Sequence, residues 1–193
     1  GEIQDFGFVF VKNRGQPKLI SSWDSPEVMS FKQLRSRLSN LPTNLPSAEG
    51  KPTQVFVTLG TQDSEGVSFV SLNLAVSFAR MGKRTLIIDA NVRNPSLSKL
   101  FHRTDDTGLS LLLNSKMSLE KAVFEVHPRL DILPSGPYVQ DISELLSSER
   151  FRQLIGALRK AYDCIFIDTP PVNYIVDAAI IAEHSDVNLL ITS

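Results

Sequence analysis

From residue 54 onward, short apolar runs alternate with longer stretches whose apolar positions recur every three or four residues. Val55 to Leu59 has the length and composition of a strand. Residues 66–81 follow with Val70, Leu74, Phe78 and Met81 at helical spacing, and Gly82 closes that helix. Arg84 to Asp89 is a second strand, nearly continuous in apolar residues, as expected where helices cover both faces of a sheet. Short helical segments are predicted at 96–102 and 108–124, then a strand at Leu130 to Leu133. Ile142 to Tyr162 is the longest helical stretch, with a break near Ser147-Ser148. Its stripe of Leu145, Leu146, Phe151, Leu154, Ile155 and Leu158 reads as a face packed on the sheet. A strand at Cys164 to Asp168, a helix near Val176 to Glu183 and a strand at Val187 to Ile191 complete the rhythm. The alternation predicts an α/β fold, a mostly parallel twisted sheet with helices on both faces and ligands at the carboxyl ends of its strands.

The first fifty residues break this pattern. Residues 1–24 are set apart as a tail or strand, with Phe6 to Val11 as the apolar stretch. Ser25-Pro26-Glu27 is a helix start, and Phe31, Leu34 and Leu38 give that helix an apolar face through about residue 39. Leu41 to Thr53 carries Pro42, Pro46, Gly50 and Pro52 and reads as an exposed loop. Residues 25–193 are expected to form one domain, which the 193-residue length suits. An end on a strand suggests truncation at the C-terminus.

Composition narrows the function classes. With 42% hydrophobic and 21% charged residues the chain is of soluble globular type. A net charge of −1 gives no general attraction to nucleic acid or to an anionic membrane. The pairs Lys83-Arg84 and Arg159-Lys160 read as solvated helix ends. Cys164 is the only cysteine, which excludes an internal disulfide and a thiolate metal cluster, and it reads as a small buried side chain. His102, His127 and His184 lack ligand spacing. No apolar run approaches the roughly 18 residues of a membrane span, and Gly1-Glu2 opens no signal-peptide pattern. A cytosolic setting is expected, with membrane contact made through a partner or another part of the protein.

Three stations carry the candidate chemistry. The first is Thr61-Gln62-Asp63-Ser64-Glu65-Gly66-Val67-Ser68, between a strand and a helix, where a phosphate loop G-x-x-x-x-G-K-[ST] belongs. Gly66 and Ser68 stand in register, Thr61 takes the first glycine position and Val67 the lysine position. Thr61, Gly66, Val67, Ser68 and Phe69 are the degenerate nucleotide-binding set of a P-loop NTPase-like fold. Backbone amides at the helix start still favour an anion, while Asp63 and Glu65 put carboxylates where phosphate charge would lie. A plain strand–helix turn is the other reading. The second station is Asp89-Ala90-Asn91-Val92-Arg93. Asp89 suits magnesium or water positioning, or else caps the next turn, and Asn91 offers an oxygen but no charge. The third is Asp168-Thr169-Pro170-Pro171, where a strand-end carboxylate can hold a magnesium-bound water. Ser68, Asp89 and Asp168 are the candidate magnesium ligands; Asp89, Asn91 and Asp168 are the candidate catalytic residues, read as vestigial.

Taken in this order, phosphate loop, D-x-D-x-R-like strand end and D-x-P-P, the stations resemble the cytoplasmic domain of bacterial tyrosine autokinases of capsule and exopolysaccharide export. Asn73-Leu74-Ala75, Gly82-Lys83-Arg84, Asn94-Pro95-Ser96-Leu97, Ser143-Glu144-Leu145-Leu146, Ser148-Glu149-Arg150-Phe151 and Val176-Asp177-Ala178 are similar to runs of that family, so the likeness covers residues from about 25 to 193. It implies a membrane polysaccharide co-polymerase, or a fused transmembrane region, as partner, and a place at the inner face of the membrane. The family's oligomerisation helix resembles E-x-[YF]-R-x-L-R. Here it reads Met29 to Arg35, with the acid missing and one arginine replaced by lysine. Phe31, Lys32 and Arg35 are the positions a homo-oligomer would use. Tyr138, Tyr162 and Tyr174 are isolated, unlike the tyrosine-rich tail the family phosphorylates.

Departures at the loop point to lost chemistry. Two or three charged hydrogen bonds from one lysine, each worth roughly 1.5–3 kcal/mol, correspond to about 10²- to 10⁶-fold in affinity. No cofactor is expected beyond weakly held ATP or ADP with magnesium. Three functions compete: a kinase-like domain without kinase activity; an active autokinase that borrows a cation such as Lys51 or Lys83; and a positioning ATPase of the partition and division-site type.

Overall fold

The computed structural model describes residues 26–41, 53–63, 65–103, 106–172 and 176–192. The N-terminal tail, most of the proline-bearing loop, Lys51 and Tyr174 lie outside the described residues. In chain order the elements are α1 (Pro26–Leu38), β1 (Gln54–Gly60), α2 (Val67–Ala79), β2 (Thr85–Asp89), α3 (Ser96–Leu100), α4 (Leu109–Leu113) and α5 (Leu119–Ala122). They continue as β3 (Phe124–His127), β4 (Leu130–Leu133), α6 (Ile142–Leu146), α7 (Glu149–Ala161), β5 (Cys164–Asp168), α8 (Asp177–Ala182) and β6 (Val187–Ile191). One six-stranded sheet has the order β3-β4-β2-β5-β1-β6; only β3 runs antiparallel to its neighbour.

Alternation along the central strands divides their side chains between two cores. Val55, Val57, Leu86, Ile88, Ile165 and Ile167 meet the α7 residues Phe151, Ile155 and Leu158 on one face. Phe56, Ile87 and Phe166 meet Leu74 and Phe78 of α2 on the other. Phe56 and Phe166 stack at 4.8 Å, with Phe78 tilted 5.5 and 5.4 Å from them. Each such buried ring contributes about 1.5–3 kcal/mol. Because successive residues face opposite cores, Asp89 and Asp168 end their strands on the α2 side, with Ile87 and Phe166.

The stretch 108–124, expected to be helical, holds α4 and α5 and ends in strand β3. Ser115, at φ 57°, interrupts the helix after α4. Pro128 and Arg129 (φ 64°) then make a two-residue turn that folds β3 back onto β4. The break at Ser147-Ser148 is present, with the Ser148 hydroxyl accepting from the Phe151 amide at the start of α7.

Arg159 corrects the reading of the basic pairs as solvated ends. Its guanidinium makes 2.8 and 3.0 Å bonds to the Asp186 carboxylate and also donates to the carbonyls of Thr53 and His184. Asp186 accepts the Val55 amide at 2.7 Å, so one ion pair ties α7 to the starts of β1 and β6. The α1 positions also have intrachain work. Phe31 is buried edge-on to Phe69 at 5.9 Å, and Arg35 donates to the Ser77 carbonyl and hydroxyl, both at 3.0 Å. Tyr162 is buried, and its hydroxyl donates to Asp131 at 2.7 Å. Among the described residues no helix is long and apolar enough to cross a membrane.

Candidate nucleotide site

Parallel pairing of β1, β5 and β2 brings the three stations together. Thr58 is in register with Asp168, and Asp168 with Asp89. Both carboxylates are fully buried. Ser68, in the first turn of α2, donates its hydroxyl to Asp168 Oδ2 at 2.6 Å. Asp168 Oδ1 is buried with no hydrogen-bond partner. Asp89 is better supported: Oδ2 accepts the Ser98 amide at 2.8 Å and hydroxyl at 2.7 Å, and Oδ1 accepts the Asn91 amide at 3.2 Å. Burial pushes Asp89 up to about 6 against these hydrogen bonds. Asp168 rises well above the ordinary carboxylate range, through burial first and then the charge of Asp89.

This donor set fits a divalent cation. Two carboxylates and a hydroxyl converge, and a buried carboxylate oxygen lacks any other partner. No cluster of three or more His, Cys, Asp or Glu suited to a metal exists among the described residues. Ser68, Asp89 and Asp168 would hold magnesium. Asp89 also caps the following turn through the Asn91 and Ser98 amides. Asn91 spends its side-chain oxygen on the Asn94 amide at 3.1 Å.

The loop between β1 and α2 carries one of its own carboxylates on its backbone amides. Gly66, at φ 85° and ψ 19°, reverses the chain into α2, a conformation that costs other residues roughly 1–2 kcal/mol. Gly60 is required by close approach, since a Cβ there would lie 2.5 Å from a Val67 methyl. Val67 is half-buried against the α2-side core, and Phe69 packs on Phe31. Glu65 turns its carboxylate onto the loop: Oε2 accepts the Thr61 amide at 2.6 Å and the Gln62 amide at 3.0 Å, and Oε1 accepts the Thr61 hydroxyl at 2.8 Å. Asp63 is exposed. Lys83 follows the far end of the 13-residue α2, about 20 Å from the loop at 1.5 Å per residue.

Sequence reasoning missed Ser98, which holds Asp89 and also bonds Ser135 beyond β4. Its only signal was its place just after the Asn94-Pro95-Ser96-Leu97 run. Also missed was an adjacent cleft of about 390 Å³ where Arg93, Lys99 and Tyr138 meet Pro95 and Pro137. The Arg93 guanidinium there pairs with nearly buried Asp177 at 3.5 Å.

A family model described as AAA domain matches residues 65–192. The chain is similar to the tyrosine-protein kinase YwqD of Bacillus subtilis, 34% identical over 185 residues, covering 94% of this chain and 77% of that protein. It is 33% identical over 190 residues to the tyrosine-protein kinase ptk of Acinetobacter johnsonii, covering 98% of this chain but only 25% of that longer protein. Among solved structures, the chimerical protein CapA2B2 superposes with a TM-score of 0.81 at 27% identity, over 98% of this chain and 83% of that one. The septum site-determining protein MinD of Pyrococcus horikoshii, complexed with Mg-ADP, gives 0.61 at 23% identity, over 73% of this chain and 58% of that one, a likeness of fold alone. At 34% identity over 77% of the Bacillus subtilis kinase, the chain belongs to the bacterial tyrosine-kinase family.

Proposed function

We propose that this domain keeps the tyrosine-kinase fold without the activity and serves as a regulatory or scaffold component of capsule or exopolysaccharide biosynthesis and export. Val67 carries the reading. At the position where the family's loop has lysine, an isopropyl group packs over Gly60 against the apolar core. It supplies no charge to a β- or γ-phosphate, and Lys83 is out of reach. The partner is a membrane polysaccharide co-polymerase or a fused transmembrane region, which places the domain at the inner face of the membrane. Similarity to proteins called tyrosine-protein kinases supports that setting. ATP or ADP with magnesium binds weakly, the metal on Ser68, Asp89 and Asp168.

Phosphate release and phosphotyrosine formation by the purified protein test the proposal. Both stay at background if it is right. A rate that Asp168→Asn abolishes would instead establish the active autokinase.

A further inference from the structure

We infer that Glu65 determines what the β1–α2 loop accepts: its carboxylate sits where an anionic nucleotide oxygen would bind, so the chain fills its own phosphate site. Two successive amides, Thr61 and Gln62, converge on the single oxygen Oε2 at 2.6 and 3.0 Å. Such a pair is an anion-binding concavity of backbone N–H groups. The Thr61 hydroxyl clamps the second oxygen at 2.8 Å and fixes the orientation of the carboxylate. Gly60 makes the position available, because a Cβ there would come within 3.1 Å of Oε2 as well as striking Val67. Gly66, at φ 85°, turns the chain immediately after Glu65.

A tethered carboxylate competes at an effective concentration of roughly millimolar or more. A free phosphate must displace it from both amides and then tolerate its charge nearby. Nucleotide exclusion therefore has two separable causes, the ammonium missing at Val67 and the anion present at Glu65. Supplying the ammonium alone does not open the loop, because the Glu65 carboxylate still holds both amides. This rests on reading the loop as a degenerate phosphate loop, but not on the loss of kinase activity.

Four proteins distinguish the causes: wild type, Glu65→Ala, Val67→Lys and the double variant, each titrated with pyrophosphate and with Mg-ADP by calorimetry and by amide NMR. Glu65→Ala is expected to gain at least tenfold in pyrophosphate affinity, with the Thr61 and Gln62 amide resonances moving on titration. Val67→Lys alone gains less than threefold, and the double variant exceeds the product of the two single gains. Glu65→Gln keeps a hydrogen-bond acceptor without the charge and falls between wild type and Glu65→Ala. It carries the comparison if the alanine variant does not fold, as the amide spectrum itself reports. Unmoved amides with no gain on removing Glu65, or Val67→Lys matching the double variant, would overturn the inference. ATP hydrolysis by the wild type would refute the proposed function while leaving the comparison across the Glu65 variants intact.

Discussion

Replacing Asp168 with asparagine should stabilise the protein, and the gain should depend on pH. Asp168 and Asp89 are register neighbours, both fully buried, and one oxygen of Asp168 has no hydrogen-bond partner. Asp89 titrates near 6 instead of its ordinary 3.8. At about 1.4 kcal/mol per tenfold, its ionisation costs about 3 kcal/mol more in the fold than in the unfolded chain. For carboxyls raised in this way the folded state binds protons more tightly. Their contribution is fully present below the unfolded value near 3.8 and is lost as pH rises through the folded value. Asp89 alone should therefore lower wild-type stability by about 3 kcal/mol between about pH 3 and about pH 7 in magnesium-free buffer, with Asp168 adding in the same direction. Asparagine keeps an oxygen for the Ser68 hydroxyl and removes the charge that bears on Asp89. Urea unfolding should find Asp168→Asn equal to wild type within about 0.5 kcal/mol near pH 3 and more stable by about 1–3 kcal/mol near pH 8. A variant less stable than wild type at the higher pH, or a wild type indifferent to pH over this range, would refute the electrostatic reasoning.

Other perturbations test the scaffold. Arg159→Ala leaves the nearly buried Asp186 carboxylate without its cation and should cost about 3–5 kcal/mol in denaturant unfolding. Phe166→Ala removes the ring that stacks on Phe56 and should cost about 3–5 kcal/mol by the same measurement. At Gly66 a Cβ meets nothing within 4 Å, so Gly66→Ala should cost only the backbone strain of about 1–2 kcal/mol. Tyr162→Phe deletes the hydroxyl bonded to Asp131 and should lower stability by about 1–3 kcal/mol, read as a shift in the urea midpoint.

The parallel sheet was legible because both faces of its strands are covered. Runs such as Leu86-Ile87-Ile88 and Ile165-Phe166-Ile167 had no polar face to confuse their period. Their carboxyl-terminal acids were equally plain, and the pairing of β2 with β5 brings Asp89 and Asp168 side by side. Strand β3 was not legible: Phe124 to His127 is only half-buried at the sheet edge, and its identity depends on a turn in which arginine adopts positive φ. Ser98 was invisible for a different reason. Its hydroxyl acquires meaning only when α3 folds over the end of β2, which no local pattern encodes. Arg159 looked like a helix-end cation because Asp186, 27 positions later, becomes its neighbour only through the fold. Glu65 was recognised as an unfavourable charge for phosphate. That it bonds the loop amides required the geometry created by Gly60 and Gly66.

Titration of the purified wild-type domain with Mg-ATP, in one calorimeter cell with hydrolysis followed in parallel, tests the central claim most directly. A loop without its ammonium and closed by its own carboxylate should give no saturable heat at micromolar nucleotide and no phosphate release above background. Micromolar, magnesium-dependent ATP binding accompanied by turnover would contradict it.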